Sequence, residues 1–162
     1  MNAIDPVFFR RVLGHYPSGI TVVSGMHDGN PVGFTCQCFH SVSMQPPLIS
    51  LCVMLSSKSW PKIRSSGRFC VNVLSRDQHH ISDSFARSDT DKWLGVNWSP
   101  THTGNPAIDD VLVWLDCELY DEHAAGDHLM VLGKVCEMGN VETADGRWPL
   151  VFFKGKYHQL GG

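Results

Sequence analysis

The chain has 162 residues, of which 43% are apolar and 18% charged, a balance typical of a soluble globular protein. This length predicts one domain over residues 1–162, and no apolar run approaches the roughly 18 residues that span a bilayer. The formal net charge of −3, with scattered Lys and Arg, argues against nucleic acid, because phosphate binding needs a clustered basic face. We expect a cytoplasmic protein, since a basic leader is absent and most of the six cysteines lie in apolar runs.

The first predicted elements are a short helix and a β-hairpin. Asp5 and Pro6 are typical of an N-cap and a first helical residue, and the helix should run to about Gly14. The β-branched segment Ile20–Ser24 predicts a strand. His27–Asn30 has the Asp-Gly chemistry of a hairpin turn that leads into a second strand.

The stretch Pro31–Trp60 is unusual because it mixes small, hydroxylic and large apolar residues. It predicts a strand, a compact polar turn, a connection ending at Pro46 and Pro47, a central strand Leu48–Leu55, and a Ser/Lys-rich loop. In one extended strand, one face would carry Val32, Phe34, Cys36, Cys38 and His40, and the other Gly33, Thr35, Gln37 and Phe39. Buried polar groups need hydrogen-bond partners, so a polar aromatic ligand is one candidate partner.

The second half of the chain alternates strands with short helices and one long loop. Ser59–Pro61 should begin a helix that Gly67 ends, and Ser75 with Gln78 predicts a capping box for a helix to about Ala86. The polar segment Arg87–Asn105 predicts a long loop. The remaining predicted strands are Arg68–Leu74, Val111–Glu122, His128–Met138 and Leu150–Lys154, and residues 123–127 form a hairpin connection.

These elements predict a mainly β protein. About seven strands with hairpin-like links favour an antiparallel sheet, and closure into a barrel would remove its exposed edges. The glycine-rich phosphate motifs of P-loop and Rossmann proteins are absent from the sequence.

Seven motifs in order resemble the short-chain flavin reductase family, the reductase components of two-component flavin-dependent monooxygenases. The motifs are PVGFT at 31–35, SVS at 41–43, PPL at 46–48, SKSW at 57–60, SGRFCVNVL at 66–74, GDH at 126–128 and PLVFFKGKY at 149–157. The resemblance implies a homodimeric, antiparallel, Greek-key-like split barrel that binds FMN or FAD and oxidises NADH or NADPH. The reduced flavin would diffuse to a partner oxygenase. A non-enzymatic flavin-binding sensor or carrier with the same fold is the alternative.

By position, the resemblance also implies site residues. His128 and Tyr157 correspond to catalytic residues near the nicotinamide. The flavin would contact Val32, Gly33, Phe34, Thr35, Gln37, Cys38, Cys52, Val53, Met54, Lys58, Ser59, Ser84 and Phe85.

Physical reasoning supports part of this assignment. Gly33 and Thr35 suit the close approach and polar edge that an isoalloxazine ring needs. Ser57, Lys58 and Ser59 offer hydroxyls and a positive charge for a phosphate at the predicted start of a helix. Hydride transfer needs no protein acid or base to break the C–H bond, so a catalytic triad is not expected.

Structural alternatives exist for the same residues. Gly33 is also typical of a bulge in a barrel strand, and Ser57–Ser59 of an ordinary helix cap. His128 could be a hairpin surface residue bonded to Asp127, and Tyr157 a core residue.

Cys36, Cys38 and His40 raise a metal or redox-thiol alternative, because one strand face would carry all three. Neighbours on that face lie roughly 6.6 Å apart and no second ligand pair has zinc spacing, so we predict no metal site. Cys38 also stands where a small hydroxylic residue is common in the family, and His40 stands where a less bulky or less polar residue is expected.

Overall fold

The protein is built mainly from β-strands, and its described residues include three short α-helices and a 3₁₀ turn at Arg76–Gln78. The computed structural model describes residues 3–139, 142 and 146–160. The helices are α1 (Pro6–Leu13), α2 (Trp60–Arg64) and α3 (His79–Ala86). The strands are β1 (Ser18–Gly19), β2 (Thr21–His27), β3 (Asn30–Cys36), β4 (Phe39–Met44), β5 (Pro47–Met54), β6 (Arg68–Val73), β7 (Trp98–Pro100), β8 (Pro106–Ile108), β9 (Val113–Ala125), β10 (His128–Gly139), β11 (Val151–Phe153) and β12 (Lys156–His158).

Seven strands form the main sheet, in the order β3-β2-β6-β9-β10-β5-β4, and all of its neighbours are antiparallel. Its two edge strands, β3 and β4, are consecutive in the chain and joined only by Gln37 and Cys38. Three peptide units span at most about 11 Å, so the two edges must lie close together and the sheet curls into a barrel. The predicted mainly β, antiparallel barrel is confirmed.

The apolar core is divided in two by the barrel wall. One part lies inside the barrel, and the other lies between the outer face of the wall and α3. On β2, Val23 belongs to the inner core with Phe69 and Ile63, while its neighbour Val22 belongs to the outer core beneath α3. Because successive side chains of a strand point to opposite faces, a strand covered on both sides reads as continuously apolar. This is why the segment that contains β2 shows no polar alternation.

Local signals located the first helix and the first hairpin correctly. Asp5 Oδ1 accepts a hydrogen bond from the amide of Val7 at 3.0 Å and caps α1, and Gly14 follows its last residue. In the β2–β3 turn, Asp28 and Gly29 have φ angles of 50° and 75°, as a tight hairpin with the twist of its strands requires. Gln78 Oε1 accepts from the amide of Ser75 at 3.0 Å, as the predicted capping box implies.

The prediction of one strand and a polar turn across residues 31–45 was wrong. The first strand ends at Cys36, and the segment predicted as a turn is β4, which pairs with β5 from Phe39 opposite Leu51 to Met44 opposite Pro47. Backbone pairing along a mostly exposed edge accounts for its polar composition. His40 therefore lies on β4, separated from Cys36 by the change of strand.

Other boundaries also differ from the prediction. The connection predicted at 123–127 shortens to Gly126 and Asp127, because β9 continues to Ala125 opposite His128. The loop predicted at 87–105 contains β7, which pairs with β8. The short strands β1 and β12, which flank β11, were not predicted.

The second half of the long loop is tied to the barrel by Asp116. This carboxyl group is fully buried and accepts hydrogen bonds from Thr101 at 2.9 Å, Thr103 at 2.6 Å and Asn105 at 2.8 Å. Three donors satisfy a group that would be costly to bury alone. The loop is thus a fixed part of the fold at its C-terminal end.

Helix length bears on membrane association. In the part of the chain that the structure describes, no helix is long and apolar enough to cross a membrane.

Candidate functional site

A cleft of about 690 Å³ opens where the barrel wall is incomplete. The pairing of β4 with β5 stops at Leu51, so the last residues of β5 have a strand neighbour only on the β10 side. Strand β3 is an edge strand that faces this gap. The loop after α3 and the loop after β5 form the rest of the rim. Backbone groups without a ladder partner therefore face the cleft on both sides.

Most of the predicted site residues come together in this cleft. Twelve of the thirteen predicted flavin contacts line it: Val32, Gly33, Phe34, Thr35, Gln37, Cys38, Cys52, Val53, Met54, Lys58, Ser59 and Phe85. His128 also lines it, because β10 places His128 opposite Met54. Ser84 and Tyr157 do not line the cleft.

Gly33 of β3 lies directly against Phe85 of α3. A Cβ atom there would lie 2.8 Å from Cε1 of Phe85 and 2.9 Å from the carbonyl oxygen of Val23, distances that real Cβ atoms essentially never show. The β2–β3 register passes Gly33 without a shift, so the alternative of a bulge is wrong. Glycine allows Phe85 to pack against the strand at the floor of the cleft.

Thr35 and Tyr157 are linked through α3. Thr35 Oγ1 donates to the carbonyl oxygen of Ser82 at 2.6 Å. The Tyr157 hydroxyl donates to Asp83 Oδ1 at 2.7 Å and lies 2.9 Å from Ser82 Oγ. Burial raises the pKa of Tyr157. Tyr157 thus holds α3 from the side away from the cleft, and Thr35 holds it from the cleft side.

Three thiols lie where the two sheet edges meet. Cys36 Sγ approaches the carbonyl oxygens of Cys38 at 3.5 Å and Cys52 at 3.7 Å. Burial raises the pKa of Cys36 to about 12 and also raises the pKa of Cys38. Cys36 and Cys38 therefore stay protonated at neutral pH. Among the described residues, no group of three or more His, Cys, Asp or Glu side chains could hold a metal ion.

Lys92 is a cleft residue that the sequence did not reveal. Its Nζ donates to the carbonyl oxygens of Gly33 at 3.1 Å and Phe85 at 3.2 Å, and lies 3.5 Å from Ser59 Oγ. Burial lowers the pKa of this ammonium group. Lys92 therefore joins β3, α3 and the loop after β5 at one point. Only the length of the polar loop in which it lies hinted at a functional segment.

Lys58 lies at the exposed rim of the cleft. Its Nζ is 3.1 Å from Asp89 Oδ1, and both side chains are about three-quarters exposed, at 75% and 77%. Ser57 Oγ accepts from the amide of Trp60 at 3.1 Å, so this serine also caps the helix. The helix α2 has only five residues, so the cation and hydroxyls, rather than a helix end, characterise this rim.

His128 occupies the end of the cleft at the β9–β10 hairpin. Its Nδ1 lies 2.6 Å from Asp127 Oδ1, and this hydrogen bond lowers the pKa of Asp127. His128 is thus both bonded to Asp127, as the structural alternative held, and exposed to the cleft. The contact between Nδ1 and Asp127 orients the imidazole ring of His128, and Nε2 is the second ring nitrogen.

The arrangement fits a flat, polar aromatic ligand with an anionic tail. Partly exposed apolar side chains such as Val32 and Phe34 form the walls, while strand-edge backbone groups and the Gln37 amide offer hydrogen bonds. Ser59 and Lys58 offer a hydroxyl and a positive charge at one end. A smaller cleft of about 470 Å³ near Arg76 and His80 contains none of the predicted site residues.

Comparison with known proteins points the same way. Residues 13–161 match the flavin reductase like domain. The reductase subunit HsaB of a flavin-dependent monooxygenase from Mycobacterium tuberculosis is 44% identical over 154 residues, which cover 95% of this chain and 82% of HsaB.

Two solved structures are similar over nearly the whole chain. Nitrilotriacetate monooxygenase component B from Mycobacterium thermoresistibile has a TM-score of 0.92 and 42% identity, covering 96% of this chain and 86% of its own. The NADH:FAD oxidoreductase SgcE6 of Streptomyces globisporus C-1027, in complex with NAD and FAD fragments, has a TM-score of 0.89 and 29% identity. That similarity covers 99% of this chain and 98% of SgcE6.

Proposed function

This chain belongs to the flavin reductase like family, and from that premise we propose that it is an NAD(P)H:flavin oxidoreductase. It reduces FMN or FAD and supplies the reduced flavin to a partner monooxygenase. This agrees with its relatives HsaB and Stc3, which are named as reductase subunits. The observation that carries the proposal is the cleft, where twelve positions matched to flavin contacts meet across the gap in the barrel.

Bound flavin supplies the redox chemistry by accepting a hydride from the nicotinamide. The protein's part is to hold the ring in place and to bind its tail. Val32 and Phe34 offer apolar surface to the ring, and the free edge of β3 offers backbone groups to its polar side. Ser59 and Lys58 bind the phosphate end. The ammonium group of Lys92 contacts Gly33, Phe85 and Ser59. Its role is therefore to hold β3, α3 and the loop after β5 at a fixed separation.

His128 is our candidate for the nicotinamide side. It is the cleft residue contributed by the β9–β10 hairpin, and Asp127 holds its ring orientation through Nδ1. A fixed imidazole at the open end of the cleft suits a role in aligning a second ring, which is where proximity and orientation contribute to hydride transfer. Tyr157 acts indirectly, because its hydroxyl holds Ser82 and Asp83 of α3 rather than the cleft.

A steady-state assay tests the enzyme activity. Purified protein is mixed with NADH or NADPH, with and without FMN or FAD, and the absorbance of the reduced nicotinamide is followed. We expect oxidation that depends on added flavin. A tightly bound flavin with no nicotinamide oxidation would instead support the non-enzymatic sensor or carrier.

We also propose that the protein forms a homodimer. None of the α1 residues is buried, and Val7, Phe8, Phe9, Val12 and Leu13 are each more than half exposed. Apolar side chains are exposed beside the cleft as well, including Met54, Leu55 and Met130. Exposed apolar surface on this scale is typical of an interaction site, and a second copy that covers the residues beside the cleft would place the flavin near the subunit boundary.

A cytoplasmic location is our proposal for where this chemistry takes place. Its support is that all six cysteines are free thiols, which is usual in a reducing compartment.

A further inference from the structure

An ion pair between Lys58 and Asp89 lies at the exposed rim of the cleft. Lys58 follows β5 and Asp89 follows α3, so the 3.1 Å contact between Nζ and Oδ1 bridges two loops that are 31 residues apart. Both residues line the cleft. The Asp89 carboxylate is therefore already paired with the Lys58 ammonium group, which our proposed function assigns to the flavin phosphate.

We propose that Asp89 competes with the flavin phosphate for Lys58 and thereby weakens flavin binding. The inference rests on the proposed function, because it concerns the same cleft and the same ligand. Lys58 has one ammonium group at this rim, and a phosphate that approaches Ser59 and Lys58 must displace the Asp89 carboxylate or bind beside a like charge. Either event costs part of the free energy that the phosphate contact supplies.

The other charged side chains around this rim do not make the contact that Asp89 makes with Lys58, among the residues that the structure describes. Asp91 Oδ1 accepts a hydrogen bond from the amide of Trp93 at 3.2 Å and so caps its own turn. Lys92 is directed to the carbonyl oxygens of Gly33 and Phe85. Lys62 and Arg87 add positive charge to the cleft lining, and neither has a carboxylate partner within the described part of the chain. Asp89 is thus the carboxylate that contacts a cleft cation directly.

The backbone at Asp89 allows a clean substitution. Its φ angle is 61°, in the left-handed region where Asn and Asp are the favoured residues after glycine. Asp89→Asn therefore removes the charge and keeps the backbone conformation. Asp89→Gly, which also suits a positive φ, gives a second variant if the first is unstable.

The consequence is a flavin site set for exchange. A reductase that hands its product to a separate oxygenase gains from a site that releases reduced flavin. An internal carboxylate lowers affinity at the phosphate without altering the walls that hold the ring. Because the pair is exposed, its effect is modest, about two- to fivefold in affinity.

Flavin titrations followed by fluorescence quenching test the inference. FMN and riboflavin, which lacks the phosphate, are titrated into wild type, Asp89→Asn, the matched control Asp91→Asn, Lys58→Met and the Lys58→Met/Asp89→Asn double variant. We expect Asp89→Asn to lower the Kd of FMN about two- to fivefold and to leave that of riboflavin unchanged. Asp91→Asn should change neither, and Asp89→Asn should have no effect in the Lys58→Met background.

Three results would overturn the inference: an unchanged FMN Kd in Asp89→Asn and Asp89→Gly, an equal shift for riboflavin, or an equal shift in Asp91→Asn. Nicotinamide oxidation by the wild type distinguishes failure of the proposed competition from failure of the proposed function. If wild type reduces flavin and the Asp89 variants bind FMN as wild type does, only the competition is wrong. If wild type neither binds nor reduces flavin, the proposed function is wrong and the competition with it.

Discussion

Replacing Gly33 by alanine should destabilise the fold and the flavin site together. The new Cβ would meet Phe85 Cε1 at 2.8 Å and the carbonyl oxygen of Val23 at 2.9 Å. The Val23 carbonyl belongs to β2, which is held between β3 and β6 at this position, so Phe85 must move. Phe85 is only 1% exposed and packs edge-on against Trp93, with ring centroids 4.8 Å apart.

Overpacking of this kind costs about 1–3 kcal/mol. For a chain of this size, about 2–4 °C of Tm is lost per kcal/mol, so Gly33→Ala should lower Tm by about 2–12 °C. Flavin affinity should fall as well, because the displaced phenyl ring lies in the floor of the cleft.

Thermal unfolding and an FMN titration of the same sample measure both effects. Gly19→Ala is the matched control, since no atom lies within 4 Å of its new Cβ, and its Tm should stay near that of wild type. A Gly33→Ala protein with wild-type Tm and FMN affinity would refute the reasoning that packing against Phe85 requires glycine here.

Four further predictions follow from contacts in the barrel and the cleft. Lys92→Met should weaken binding of FMN and riboflavin equally in titrations, because the ammonium group holds the walls together; a loss confined to FMN would indicate a phosphate contact instead. Thr101→Val removes one donor to a buried carboxyl group and should cost about 1–3 kcal/mol in denaturant unfolding, whereas an unchanged midpoint would mean the hydrogen bond contributes nothing. His128→Ala should reduce nicotinamide oxidation more than flavin binding, and an NMR titration should show the pKa of Asp127 rising towards its ordinary value of 3.8. Since the folded pKa of Asp127 is lowered, the stabilisation from this pair is present above pH 3.8 and is lost as the pH falls through the folded pKa; an unmoved pKa in the variant would contradict the contact. Phe8→Ser should shift sedimentation from dimer to monomer, and a wild-type monomer would refute the proposed dimer.

Features set by neighbouring residues were predictable from the sequence. The Asp5 cap and the Asp28-Gly29 turn depend on contacts within a few residues, and the structure has both. Strand β4 was missed for a different reason. Its Ser41 and Ser43 read as a turn, and only the backbone pairing with β5, together with its place at the sheet edge, makes the segment a strand.

In the cleft, too, residues within continuous motifs were predictable and contacts between distant segments were not. The resemblance placed the β3 and β5 residues because these motifs are continuous in sequence. Lys92 has no motif, and it reaches Gly33 across 59 residues through the closure of the fold. Tyr157 lies in a motif, yet its hydroxyl is directed to α3, since side-chain direction depends on the packing of β12. Contacts between distant segments are the part that sequence patterns do not contain.

The buried carboxyl of Asp116 divides the long loop into two parts with different tolerance to change. Its three donors fix Thr101, Thr103 and Asn105, so the later part of the loop is bound to the barrel. The earlier residues 87–91 form the cleft rim and take no part in that anchor. Segments of other reductases can therefore be grafted at 87–91 to alter ligand preference, while the anchor keeps the graft attached to an intact barrel.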